Sequence, residues 1–146
     1  MGKNFIDKIE IYVDGCSKGN PGPSGAGIVI VYNDNVLFKD GYFLGDNLTN
    51  QDAEYFAVLI GLEKGCEFCR KKVEIKSDSQ LVIKQLNYQF RIRKEKHKTI
   101  HEKIKSKALL YEDVMYIQVS ESHKYIKMAD KLANSAVNKV KRGGDV

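Results

Sequence analysis

The sequence predicts an α/β domain built on a mixed β-sheet. Three observations predict it: three runs of strand character in the first half, a change to helical period near residue 50, and alternating helix and strand from there to the end. Ile9, Ile11 and Val13 alternate with Glu10 and Tyr12, the period of two of a half-buried strand, so residues 8–14 form the first strand. That strand ends on a carboxylate, Asp14, and runs into a turn rich in glycine and proline. Gly19, Gly22, Gly25 and Gly27, with Pro21 and Pro23, read as a fixed, tight connection at which something approaches the backbone closely. AGIVIVYN (26–33) is the second strand, Asn33-Asp34-Asn35 a hairpin signal, and VLFKDGYFLG (36–45) the third strand.

A helix begins near Asn50 or Gln51, with Ala53, Phe56, Ala57 and Ile60 at helical spacing. VEIKSD (73–78) is a short fourth strand that again ends on a carboxylate, Asp78. SQLVIKQLNYQ (79–89) reads as a helix, followed by a basic segment and a second helix running to about Leu110. DVMYIQVS (113–120) is the fifth strand. From about Lys127 an amphipathic helix closes the chain, and RGGDV (142–146) is a frayed tail. No repeat, linker or low-complexity tract interrupts this order, so one domain over 1–146 is expected, with its core at about 8–140.

The chain of 146 residues, 42% hydrophobic and 29% charged, has the composition of a globular domain rather than of a disordered segment. No apolar run approaches the roughly 18 residues that span a membrane. The N-terminus lacks the apolar core of a secretory signal, and Ile6 stands where myristoylation favours Ser or Thr. A cytoplasmic, free-standing, monomeric chain is the expectation. Three cysteines give no disulfide framework, and Cys66 and Cys69 form a lone CxxC without a second ligand pair, so helix-end packing is preferred over zinc or redox chemistry. The net charge is +5, and between Arg91 and Lys107 eight Lys or Arg face two Glu, which points to nucleic acid as partner, a solvated helix face being the plainer alternative. His97 and His101 are four apart on this basic helix, where an exposed face is a better reading than a metal chelate.

The glycine turn is not a phosphate cradle. GxxxxGK[ST] is absent, and the turn leads into the strand IVIVY where a nucleotide-binding loop would open a helix. The carboxylates are more informative. If the first and fourth strands are parallel neighbours, Asp14 and Asp78 lie side by side at one sheet edge, with Glu54 one turn into the first helix and Asp130 near the start of the last. Singly, each has an ordinary explanation as a turn, helix-start or solvated acid. Gathered at one site, four acids repel by several kcal/mol unless cations neutralise them, and oxygen ligands of this kind suit Mg²⁺ or Mn²⁺.

The blocks DGCSKGNPG, TNQDAE, SDSQ and ADKLANSA, with acids in the order Asp, Glu, Asp, Asp, resemble those of ribonuclease H type 1, and the resemblance covers about residues 8 to 140. It implies that family's fold, a five-stranded mixed sheet in the order 3-2-1-4-5 with helices on both sides. It also implies its activity, endonucleolytic hydrolysis of the RNA strand of RNA–DNA hybrids, with 5′-phosphate and 3′-hydroxyl products. Asp14, Glu54, Asp78 and Asp130 become metal ligands by this resemblance, Asp14 bridging two ions when substrate is bound. Two ions about 4 Å apart can activate a water for in-line attack and stabilise the departing oxygen. Under this reading the glycines let the hybrid come close.

By the same resemblance Gly15, Cys16, Ser17, Glu54, Ser79 and Gln80 contact the hybrid and its 2′-hydroxyls, with Cys16 in place of a common serine. Asn20, Thr49 and Asn50 match the family's pocket for a DNA-strand phosphate, and Thr or Asn there also serves as a helix N-cap. The basic run is expected along the hybrid backbone, where it adds affinity rather than sequence preference. Shorter-loop members carry Arg and then Asn three residues later where this chain has His123 and Ile126, and His123 is a further catalytic candidate. A transposase or integrase core is disfavoured by the GNPG and TNQxxE blocks, and a non-catalytic binding module predicts a missing carboxylate, which is not the case.

Overall fold

In the computed structural model, which describes residues 6–144 and the side chains of residues 6–140, the alternating run at the start forms β1 (Lys8–Ser17). Ile9, Ile11 and Val13 are fully buried on one face of it, and Tyr12 is buried on the other. β2 (Gly22–Tyr32) returns antiparallel and β3 (Asn35–Leu48) follows. Between them Asn33 and Asp34 have φ of 48° and 61°, the two left-handed residues that a type I′ hairpin turn requires. Helix α1 (Asn50–Gly65) leads to β4 (Lys72–Ser77), and α2 (Gln80–Leu86) and α3 (Glu95–Ala108) lead to β5 (Asp113–Gln118). Both later strands run parallel to β1, giving a mixed sheet in the order β3-β2-β1-β4-β5, as expected.

Two cores sandwich the sheet. On one face Ile11, Val13, Ile28 and Ile75 pack under Tyr55, Val58 and Leu62 of α1 and Ile100 and Ile104 of α3. On the other, Tyr12, Val29 and Val31 pack under Tyr125, Ile126 and Ala129 of α4 (Lys124–Gly144). Each fully buried aliphatic side chain contributes about 1.5–3 kcal/mol, so the central strands anchor the sheet edge that carries the acids.

The structure corrects several boundaries. β1 does not stop at Asp14; it loses β4 after the pair Tyr12 and Lys76 but stays paired with β2 as far as Ser17 and Ser24. Most of the glycine stretch is therefore strand. Two helices approach this backbone closely at particular glycines: a β-carbon on Gly25 would lie 2.5 Å from the Ala133 carbonyl oxygen of α4, one on Gly27 would collide with the Ala129 carbonyl of α4, and one on Gly15 would lie 2.5 Å from the Glu54 nitrogen of α1. The last helix starts at Lys124 rather than about Lys127, because Tyr125 and Ile126 bury against β1 and β2. Asp130 accordingly lies nearly two turns into α4 instead of near its start. Residues 142–144, read as frayed tail, continue α4, and 145–146 lie outside the described residues.

Candidate active site

The sheet register delivers the first two acids. Tyr12 pairs with Lys76 in the parallel ladder, so two residues further on Asp14 is level with Asp78, where β4 has ended and the sheet opens. Glu54 arrives from α1, whose start is fixed by a capping box: the Thr49 hydroxyl accepts from the Asp52 N–H at 3.0 Å and the Asp52 carboxylate accepts from the Thr49 N–H at 2.9 Å. Glu54 is 8% exposed, not solvated; Oε1 accepts the Gly15 N–H at 3.0 Å and Oε2 accepts the Ser77 hydroxyl at 3.3 Å. Asp14 is 7% exposed. Asp14, Glu54 and Asp78 each offer a carboxylate oxygen within 4.8 Å of the others. Asp130 comes from α4 and lines a cavity of about 340 Å³ together with Asp14, Asp78, Glu121 and Lys127.

Such crowding makes the ionised state costly. Burial pushes the Asp14 carboxyl far above the ordinary carboxylate range, and the Glu54 carboxylate, Asp130 and Asp78 push it further. Burial also raises Glu54, against the opposing hydrogen bonds from Gly15, Asp14 and Ser77. Asp78 is raised by burial first, with Glu121 and Asp130 adding to it. Three acids displaced upward at one point form a site that lacks positive charge, and hard oxygen donors at this spacing suit a divalent cation such as Mg²⁺ or Mn²⁺.

Most of the expected hybrid contacts are gathered beside the acids. The Ser17 N–H donates to Asn50 Oδ1 at 2.8 Å, the Asn50 N–H to Asn20 Oδ1 at 2.8 Å and the Asn20 N–H to the Ser17 hydroxyl at 3.2 Å. Ser17, Asn20, Thr49 and Asn50 therefore form one cluster at the start of α1. Gly15 and Cys16 lie on β1 between this cluster and Asp14, although the Gly15 amide is already engaged by Glu54. Ser79 caps α2 by accepting from the Val82 N–H at 3.3 Å, and Gln80 follows it, exposed. His123 follows Ser122, which lines the cavity, but is not itself among the lining residues: its Nδ1 accepts the Tyr125 N–H at 3.1 Å and its ring stacks on Tyr12 at 4.7 Å.

Some residues escaped the sequence reading. Asn134 donates to Asp130 Oδ1 at 3.1 Å and accepts from the Lys18 ammonium; its spacing four residues after Asp130 on a helix was the available signal. Glu121 and Lys127 gave no signal. His97 and His101 are not on an exposed face: they are 1% and 5% exposed, because α3 packs its histidines onto α1 and Tyr88. Cys66 ends α1 with its thiol on the Glu63 carbonyl at 3.1 Å, and Cys69 is buried, as helix-end packing requires.

A sequence model of the RNase H family matches residues 7–138. Among curated relatives, ribonuclease HI of Halobacterium salinarum is 40% identical over 79 residues, 54% of this chain and 40% of that protein. Ribonuclease H of Pseudomonas fluorescens is 30% identical over 147 residues, 92% of this chain and 95% of that one. The chain spans less than half the length of the Halobacterium relative, although its match to the Pseudomonas protein is almost end to end. The crystal structure of a Halobacterium salinarum ribonuclease H1 has a TM-score of 0.84 at 30% identity, covering 90% of this chain and 98% of that one. LC11 ribonuclease H1 in complex with an RNA/DNA hybrid has a TM-score of 0.81 at 28% identity, with the same coverage. Fold, acid cluster and relatives agree, and the chain belongs to the ribonuclease H family, type 1.

Proposed function

We propose that this chain is an endonuclease that hydrolyses the RNA strand of RNA–DNA hybrids with two divalent ions, Mg²⁺ or in its place Mn²⁺. The observation that carries the reading is the convergence of Asp14, Glu54 and Asp78 within 4.8 Å, buried enough to need a cation. Asp14, Glu54, Asp78 and Asp130 would hold the ions. Bound there, divalent ions supply an activated water and neutralise charge on the departing oxygen. Hydrolysis breaks the bond between phosphorus and O3′, leaving a 5′-phosphate and a 3′-hydroxyl end.

The chain's own residues do the rest. Gly15 and Ser77 orient Glu54 through its two carboxylate oxygens. The Ser17, Asn20, Thr49 and Asn50 cluster would seat a phosphate of the DNA strand, and Cys16, Ser79 and Gln80 would face the RNA strand near its 2′-hydroxyls. The relative solved with a hybrid supports this substrate class. All four carboxylates come from one chain, which supports a single domain acting as a monomer. Among the described residues no helix is long and apolar enough to cross a membrane.

The test is cleavage of a labelled RNA–DNA hybrid in Mg²⁺ or Mn²⁺, beside double-stranded RNA and DNA, by wild type and Asp14→Asn. Cleavage confined to the hybrid and lost in the variant is the expected result. A hybrid that is bound but left intact under both metals would instead make the chain a binding module.

A further inference from the structure

A buried charged network ties the basic segment to the start of α1, and the carboxylate chemistry does not use it. Asp52 is fully buried and His97 is 1% exposed. Asp52 Oδ1 lies 2.6 Å from His97 Nε2, while Oδ2 accepts from Lys96 Nζ at 2.6 Å and from the Thr49 N–H at 2.9 Å. His97 stacks on Tyr55 with ring centroids 5.0 Å apart, and the Tyr55 hydroxyl donates to Gln85 Oε1. The Gln85 amide in turn donates to the Arg91 carbonyl at 3.0 Å. A path of hydrogen bonds, joined between His97 and Tyr55 by a ring stack, therefore runs from Thr49, in the cluster that would seat a DNA-strand phosphate, to the backbone of the basic segment. Between its two ends lies a cavity of about 510 Å³ lined by Gln51, Phe90, Arg91, Arg93 and Lys94, with His97 on its wall.

Packing α3 on α1 does not need charge. A well-packed apolar pair of similar volume is often as stable as a buried ion pair or more so. What the pair adds is direction: a carboxylate holding three donors at fixed angles leaves one mutual orientation of the elements it joins. Those elements are the start of α1 and the segment carrying Arg91, Arg93 and Lys94.

We propose that Asp52 and His97 are positioning residues for hybrid binding, holding the cations of residues 91–94 in register with the Thr49–Asn50 helix start so that both meet the nucleic acid as one surface. This rests on the hybrid-binding reading above. Neither residue touches the reacting phosphate, so the pair acts on affinity rather than on the chemical step.

The experiment compares wild type, His97→Leu and His97→Gln, the last retaining an N–H donor toward Asp52. Binding of a fluorescent RNA–DNA hybrid is measured by anisotropy without divalent ions, over a range of salt, and steady-state cleavage is measured in Mg²⁺. His97→Leu is expected to weaken binding about tenfold and raise KM by the same factor with kcat within about twofold, the signature of lost uniform binding. Its salt slope should shrink by about two phosphate contacts, and His97→Gln should restore both. Should His97→Leu fail to fold, Asp52→Asn, which keeps size and helix cap but loses the charge, is expected to move affinity the same way. Hybrid binding by His97→Leu equal to wild type, or a loss of kcat in step with melting temperature, overturns the positioning role alone. Wild type that does not bind the hybrid overturns the ribonuclease reading, and the positioning role with it.

Discussion

Gly27 in β2 lies directly beneath the carbonyl group of Ala129 in α4, at a separation that leaves no room for a β-carbon. Asp130 is the next residue of that helix, so the absence of a side chain at Gly27 sets how far an acid of the site stands from the sheet. Gly25 and Gly41 make the same allowance for Ala133 and Leu132. Gly27→Ala should lift α4 and destabilise the protein by about 2–3 kcal/mol, the upper range for overpacking. Urea unfolding checks the stability, and hybrid cleavage should fall more than the unfolded fraction explains, because Asp130 moves with the helix. Wild-type stability in Gly27→Ala would contradict this account of the glycine.

Asp14 and Glu54 make stability depend on pH in a direction opposite to that of ordinary ion-paired acids. Both carboxyls are raised in the folded protein, Asp14 chiefly by burial and then by Glu54, and Glu54 by burial. The folded state thus holds protons that the unfolded chain releases in the normal carboxylate range, and stability must fall as pH rises above that range. Without divalent ions the melting temperature should drop between pH 5 and pH 9. The stability lost should be at least about 1.4 kcal/mol, the free energy of a tenfold difference in proton affinity between the folded and unfolded chain. Asp14→Asn should flatten the profile and raise the metal-free stability at pH 9, and Mg²⁺ should recover stability in wild type but not in the variant. A metal-free melting temperature that stays level over this interval would remove the basis for a cation-demanding site.

Asn134 steadies Asp130 from the next turn of α4, its amide on the carboxylate and its carbonyl oxygen taken by Lys18. The contact is exposed, so it adds little to stability, and its effect belongs to the acid it orients. Asn134→Ala should leave the melting temperature within about 2 °C while reducing cleavage or apparent Mg²⁺ affinity about tenfold, the usual cost of losing a partner that orients a metal ligand. A Mg²⁺ titration of cleavage rates separates the two effects, and an unchanged titration curve would show that Asp130 needs no such support.

The sequence made the sheet and the acids readable for the same reason: both are patterns of single residues along a strand. Ile9, Ile11 and Val13 mark the buried face of β1, and acids just beyond Val13 and Ser77 become neighbours once the two strands run parallel in register. Relations across the sheet were not readable in this way. That Gly25 and Gly27 serve a helix about a hundred residues later depends on α4 crossing β2, which no local pattern states. The burial of His97 has the same origin, since its basic helix looks solvated until Asp52 and Tyr55 of α1 are placed against it. The early start of α4 was missed because Tyr125 and Ile126 precede the small-residue run that looks most helical, and their contacts with Tyr12 and Val29 come from tertiary packing.

Those contacts bear on His123, the remaining catalytic candidate. Its imidazole accepts the Tyr125 N–H at the start of α4 through Nδ1 and stacks on Tyr12 through its face. Capping occupies Nδ1, which cannot take or give a proton without uncapping the first turn. A proton-transfer role would therefore fall to Nε2, on a ring that packs against Tyr12 and is not among the residues lining the acid cavity. His123→Asn can replace the cap and should keep cleavage within about threefold of wild type, whereas His123→Ala should lose about 1 kcal/mol of stability, the ordinary cost of a lost cap. Rates measured from pH 6 to 9 at saturating hybrid decide the matter, because a proton-transfer role would remove an ionisation from the profile of both variants. A capping role leaves the profile of His123→Asn superimposed on that of wild type. If His123→Asn lost activity a hundredfold at full stability, the ring would have to leave Tyr125 during turnover and act in the cavity itself.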